Sequence, residues 1–179
     1  HRSLHASGID QWGQTVVRSS SASTSWHVSQ HDVEGDDALK SPTVNLTNFR
    51  AATLVFNHWY NFDDCSDPTF DPDGGVVEIT VDGGATWTRI NPVGGYPYVL
   101  DDICSNPLVG QPAYAHDGGL GSAFVPAVFD LTPFVGNTVS VRFRAGWDCG
   151  NCNSNEGWYI DDVAVYSTDY VSWVSASPT

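Results

Sequence analysis

Apolar residues recur at every second position through much of this chain, and helical three-to-four spacing is nearly absent. In "TVSVRFRAGW" (138–147), Val139, Val141, Phe143, Ala145 and Trp147 fall on one side, with Thr138, Ser140, Arg142 and Arg144 on the other. Side chains alternate across a strand with period two, so this segment predicts a half-buried strand. "ATLVFNHWYNF" (52–62) is apolar on both sides, which predicts a central strand. "GVVEITVDGGATWTRI" (75–90) predicts a hairpin, with Asp82-Gly83-Gly84 supplying the positive-φ turn positions. "AFVPAVFDLTPFVG" (123–136) predicts a strand followed by a tight turn. Short strands punctuated by Gly, Pro, Asn and Asp predict an all-β fold, an antiparallel β-sandwich. No internal repeat is visible.

Residues 91–122 form a Gly/Pro/Asp-rich excursion, long enough to predict a functional or disulfide-clipped loop rather than filler. The serine-rich "RSSSASTSW" (18–26) predicts a loose loop or an edge. One domain over 1–168 is expected, with 169–179 a C-terminal tail or the start of a linker.

The closing strand, "GWYIDDVAVY" (157–166), poses a problem. Counted in twos, Asp161 shares a side with Tyr159, Val163 and Val165. If the valines face the core, a carboxylate faces it too, and a buried unpaired charge costs several kcal/mol. Its partner is a cation, Arg142 or Arg144 of a neighbouring strand, or backbone amides. Both arginines lie opposite the apolar side of their own strand, which makes a bound cation the favoured expectation.

Composition narrows the classes. The chain has 179 residues with 21 Asp and Glu against seven Lys and Arg, a formal charge of −14, and Lys40 is the only lysine. Such a surface repels phosphate backbones and suits divalent cations, so neither nucleic-acid binding nor membrane insertion is expected. The lack of methionine points to a mature fragment or an excised piece of something longer. Four cysteines allow three disulfide connectivities or one zinc site, but only Cys149 and Cys152 are closely spaced. Disulfides in an oxidising compartment are expected, Cys149–Cys152 as a local clip and Cys65–Cys104 joining two loops. No βαβ pattern surrounds the CxxC to suggest redox catalysis.

Enzyme signatures are missing: no His-Glu-x-x-His, Gly-x-Ser-x-Gly, phosphate loop or dinucleotide fingerprint occurs. His58, in mid-strand, is expected to be a buried, hydrogen-bonded histidine. Carboxylates are numerous enough for a glycosidase-like pair, but they cluster in loops, and no catalytic residue is assigned. "VDGGATW" (81–87) fits a single Asp-box; without repeated blades it predicts only a self-contained hairpin held by Asp82 with Trp87 packed beneath. The acidic loops "HDVEGDDALKSP" (31–42) and "NFDDCSDPTFDPDGG" (61–75) offer the oxygen ligands calcium takes, although for any single Asp a solvated face is the default. Exposed Trp and Tyr build sugar platforms, and Tyr96, Tyr98, Tyr114, Trp147 and Trp158 are candidates that sequence cannot sort from core.

In order, "DDALKSPTVNL", "LVFNHWYNFDD", "DGGVVEITVDGGATWTRI", "FDLTPFVGNTVSVRFRAGWD" and "GWYIDDVAVY" resemble the non-catalytic jelly-roll domain of secreted bacterial metallopeptidases of the immune inhibitor A type. The series is also similar to MAM-like and carbohydrate-binding-module-like jelly rolls. The resemblance covers about residues 24–166 and implies a jelly-roll β-sandwich without an active site. It further implies a structural calcium near the domain's start, closed by an aspartate of the last strand. Asp161 matches that aspartate, the segment Asp32–Asp37 the partner region, and Asp73 the aspartate opening the "DGG" strand. Where relatives carry a glutamate this chain has the shorter Asp63. The expected ligands are therefore Asp32, Asp37, Asp63, Asp73 and Asp161. The cysteines and the insertion between Cys65 and Asp73 depart from the pattern.

The combined expectation is a secreted, calcium-stabilised, non-catalytic accessory domain of a larger protein. Its expected partners are a polysaccharide or an extracellular protein surface, and the parent protein's other domains. Carbohydrate binding is one expected role; adhesion, or docking on a parent protease domain, is the alternative.

Overall fold

The computed structural model describes residues 11–21, 23–67, 69–102, 106–118, 121–150 and 155–169. Among them the alternating segments form strands β1 (Gly13–Thr15), β2 (Ser25–Val28), β3 (Gly35–Lys40), β4 (Val44–Asn45), β5 (Phe49–Asn61) and β6 (Gly74–Thr80). Further along come β7 (Thr88–Ile90), β8 (Tyr98–Val99), β9 (Pro112–Ala113), β10 (Val125–Asp130), β11 (Thr138–Trp147) and β12 (Gly157–Asp169). A 3-10 turn at Thr132–Phe134, with Pro133 inside it, makes the tight turn between β10 and β11.

Two antiparallel sheets face each other. One has the order β1-β2-β12-β5-β10; the other is β3-β11-β6-β7, with β4 also on β11. The chain passes repeatedly between them, from β2 to β3, β5 to β6 and β11 to β12, which gives the expected jelly-roll sandwich. Its interior is filled from both sides. Leu54, Phe56, Trp158 and Ile160 of the first sheet meet Val77, Ile79, Val141, Phe143 and Trp147 of the second, all nearly inaccessible to solvent. Each such side chain contributes about 1.5–3 kcal/mol on burial. His58 lies among them, as expected, its Nδ1 accepting the Trp158 indole N–H at 3.3 Å.

The excursion after residue 90 has its own structure. The β8–β9 hairpin and a small cluster of Val76, Leu100, Leu108, Ala113 and Ala115 lie on the outer side of β6, which is therefore buried on both faces. On its inner face β6 meets the other sheet closely enough to require glycine: a Cβ on Gly75 would stand 2.4 Å from the Trp158 ring. The Asp-box hairpin is self-contained, as expected. Asp82 accepts from Thr80 Oγ1 and Thr86 Oγ1, both at 2.6 Å, and from the Thr86 amide. Trp87, however, is half-buried on the sheet's outer surface, where the Arg142 guanidinium covers its ring at 4.5 Å.

Strand β12 departs from a uniform alternation. Asp161 pairs with Asn57, yet Ala164 pairs with Val55, so β12 advances three residues while β5 advances two. This is a β-bulge, and Asp162 sits in it at φ 52°, in the left-handed region. Before the bulge Trp158 and Ile160 point inward; after it Val165 does, packing against the core. A bulge shifts the phase of a strand by one, so Asp161 does not share a face with Val163 and Val165.

Candidate metal centre

One end of the sandwich gathers the turns that follow β2, β5 and β11 and precede β6 and β12. Asp73 comes immediately before β6 and Asp148 immediately after β11, because Gly74 and Gly146 are paired neighbours. The Asp148 amide donates to Asp73 Oδ1 at 2.6 Å, and the Gln30 carboxamide nitrogen donates to Asp73 Oδ2. Asp63, from the end of β5, accepts the Cys65 amide at 3.0 Å and the Asn155 side chain at 3.2 Å. Asp63 is 1 % exposed, Asp73 0 % and Asp148 6 %, so three carboxylates are withdrawn from water within one electrostatic neighbourhood.

The electrostatics record that crowding. Burial, reinforced by the charges of Asp148 and Asp63, pushes the Asp73 carboxyl up to about 7 despite its two hydrogen bonds. Asp148 is likewise raised, first by burial and then by the charges of Asp63 and Glu34. Beside these acids the Gln30 side-chain oxygen is buried with no hydrogen-bond partner among the described residues. A buried carbonyl without a donor costs about 1–3 kcal/mol. Carboxylates plus an orphaned carbonyl form an all-oxygen donor set, the kind a hard divalent cation takes. As they stand the side chains are not closed on a common point: among the described residues no three His, Cys, Asp or Glu groups are spaced to hold a metal.

The five sequence-predicted ligands divide. Asp63 and Asp73 come together here. Asp37 is fully buried nearby, accepting the Trp147 indole N–H and the His31 imidazole, each at 2.9 Å on Oδ2. Asp32 is exposed in the turn before β3. Asp161 corrects the expectation: its carboxylate is not core-facing, and Oδ2 accepts the backbone amides of Ser20 and Ser21 at 2.8 and 3.0 Å. The bulge is the reason. Of the three partners considered for it, the structure contains the amides, while Arg142 and Arg144 pair with Glu78 and Asp36 on the outer face of the other sheet. Asp148 and Gln30 were missed by sequence reading. For Asp148 the available signal was its place directly after the apolar strand β11, opposite the already suspected Asp73.

The second acidic loop is organised around a histidine instead. His116 Nδ1 lies 3.1 Å from Asp64 and its Nε2 2.8 Å from Asp71, while Asp67 accepts from the amide and hydroxyl of Thr69. Burial raises the Asp71 carboxyl, the His116 charge opposes that rise, and Asp101 and Asp64 add to it. Among the described residues no cysteine is free. Cys104 and Cys152 lie outside the described residues, and with them the expected pairing.

The candidate aromatics also sort. Trp147, Trp158 and Tyr114 are core; Tyr98 is half-exposed beside the His116 ring; Tyr96 is half-buried, its hydroxyl donating to Ile90 O and accepting from the Val77 amide. No helix among the described residues is long and apolar enough to cross a membrane.

No protein-family model matches the chain, and no curated protein matches it. Solved structures do. The glycoside hydrolase domain of Endo-D from Streptococcus pneumoniae superposes with a TM-score of 0.52 at 12% identity, over 95% of this chain and 22% of that one. The K1 cleaved adhesin domain of Lys-gingipain from Porphyromonas gingivalis gives 0.50 at 14% identity, over 93% of this chain and 90% of that one. A carbohydrate-binding module of Cellvibrio mixtus lichenase 5A gives 0.41 at 10% identity, covering 94% and 91%. This chain thus spans about a fifth of the Endo-D structure but matches the gingipain adhesin domain nearly end to end, and what it shares with them is the β-sandwich fold.

Proposed function

We propose that this chain is a calcium-stabilised, non-catalytic binding module of a larger secreted bacterial protein, of the kind attached to metallopeptidases of the immune inhibitor A type. The observation that carries the reading is the knot of Asp73, Asp148, Asp63 and Gln30. It places three buried carboxylates and an orphaned carbonyl oxygen where several turns meet. Calcium there would neutralise the crowded charge and tie those turns together. The cation is structural in this account, and the side chains of Asp63, Asp73, Asp148 and Gln30 are its ligands. Binding only the folded form, at 100 times its dissociation constant, adds about 2.7 kcal/mol.

The binding role draws support from the end-to-end fold match to an adhesin domain. Secretion and the pairing Cys65–Cys104 with Cys149–Cys152 belong to the same proposal. Alkylation of the unreduced protein should add no mass, and any labelled cysteine contradicts the pairing.

A second reading, docking on a protein surface such as a parent protease domain, is favoured by one feature. A largely apolar cleft of about 410 Å³ opens between β12 and the β3–β4 edge, lined by Val163, Val165, Trp26, Leu39 and Val44. A glycan array run beside a pull-down with the parent protein separates the two. Glycan retention supports the first reading, and retention of the parent's catalytic domain alone supports the second.

A further inference from the structure

The loop before β6 and the turn after β9 bring Asp71 and His116 together, and both are buried, Asp71 at 9 % exposure and His116 at 7 %. His116 Nε2 stands 2.8 Å from Asp71 Oδ1, yet neither atom has a hydrogen-bond partner among the described residues. At so short a separation a hydrogen bond fails only through its direction, so the Nε2 axis of the ring does not run to that oxygen. Buried polar atoms are normally satisfied. Two unmet ones, side by side and aimed past each other, mark a place for a third atom that both can reach.

The chemistry of that atom follows from the pair. Asp64 Oδ2 lies 3.1 Å from His116 Nδ1, and an ionised carboxylate only accepts, so Nδ1 carries a ring proton. In the neutral imidazole Nε2 is then a lone pair beside a carboxylate oxygen, a repulsive contact unless one cation is shared by both. An imidazolium would instead bridge Asp64 and Asp71, but the second of those two hydrogen bonds is not made. Ligands at right angles around one ion, with bonds of about 2.0–2.1 Å, stand about 2.9 Å apart, close to the separation seen. Both groups are held in place by the backbone. The Asp71 amide donates to Asp101 Oδ2 at 2.8 Å, the Asp101 amide to Asp71 O at 2.9 Å, and the Phe62 amide to His116 O at 2.8 Å. A carboxylate behind a histidine that offers its other nitrogen is the arrangement that orients metal-binding imidazoles. A nitrogen and an oxygen together suit a borderline cation such as zinc rather than calcium, which takes oxygen alone.

We infer that His116 Nε2 and Asp71 Oδ1 are two ligands of a divalent transition-metal ion of the zinc class, with Asp64 positioning the imidazole from behind. Among the described residues no third His, Cys, Asp or Glu is spaced to join them, so water completes the shell. The site is separate from the calcium knot and does not depend on it. The test is calorimetric titration of zinc into the whole chain already saturated with calcium, beside nitrogen-15 NMR of the histidine rings. Zinc should bind, and the His116 Nε2 signal of the wild type should shift as it does, a readout that needs no variant to fold. Asp64→Asn should weaken binding about tenfold to hundredfold. His116→Gln and Asp71→Asn should each weaken it more. His116→Gln should keep its calcium uptake, so the zinc site and the calcium reading fail separately. His1 and His5 lie outside the described residues, and exchanging both for alanine should leave zinc binding unchanged. The site is overturned by no zinc uptake, by uptake undiminished in His116→Gln, or by uptake that disappears with His1 and His5. Zinc uptake with an unmoved His116 signal also overturns it, and leaves the histidine an ion-pair partner of Asp64 and Asp71 only.

Discussion

The Asp148 backbone amide donates to the Asp73 carboxylate at 2.6 Å, which fastens the exit of β11 to the entrance of β6. Asp73 is fully buried and its carboxyl is pushed up to about 7 by burial and by neighbouring negative charge. Without a cation, its ionisation therefore works against the fold.

The sign of the resulting pH dependence can be fixed. A carboxyl whose folded pKa is raised binds its proton more tightly when folded, so the fold loses stability as pH rises from about 4 through about 7. For Asp73 alone this amounts to something on the order of 4 kcal/mol. In chelator, the melting temperature should fall between pH 5 and 7.5; in calcium that fall should vanish. Asp73→Asn in chelator should remove most of the dependence. An equal slope in the wild type and the variant would show that Asp73 is not the group responsible.

Asp161 has a separate role. It holds the β1–β2 loop through Ser20 and Ser21, with Ser21 Oγ also donating to Asp162. Asp161→Ala should cost about 1–2 kcal/mol in urea unfolding and leave calcium affinity unchanged. Lost calcium binding with unaltered stability would restore the ligand role that the sequence suggested.

That reversal shows what was legible in the chain. Strand β11 follows from alternation alone because it keeps one phase throughout, while β5 follows from an apolar run on both sides and β6 from the hairpin turn after it. Strand β12 does not, and counting in twos cannot detect an inserted residue. Adjacent aspartates inside an otherwise apolar strand were the available warning, since Asp is a poor strand former. The acid end was half legible. Asp63 and Asp73 could be marked from resemblance, but Gln30 became a candidate only when folding left its side-chain oxygen buried and unmatched.

The Asp82 turn predicts the opposite pH trend. Hydrogen bonds from Thr80 and Thr86 hold its carboxyl far below the usual range. A depressed folded pKa stabilises above the unfolded value, near 4, and that stability is lost as pH falls. Asp82→Ala should lower the melting temperature at pH 7 more than at pH 3. A variant equally destabilised at both would mean the turn does not depend on the carboxylate's charge.

Gly75 allows β6 to lie against Trp158. Gly75→Ala places a methyl 2.4 Å from the indole ring and should cost about 2–3 kcal/mol by overpacking, read from chemical denaturation. A neutral substitution would show that Trp158 can move, and that the core there is looser than described.

Calorimetric titration of calcium into chelator-treated protein tests the central claim most directly. The wild type and Asp161→Asn should bind alike, while Asp73→Asn and Asp148→Asn should lose the binding heat although they remain folded. No calcium uptake by the wild type, or uptake that survives both substitutions, would contradict a cation at the Asp73–Asp148 knot.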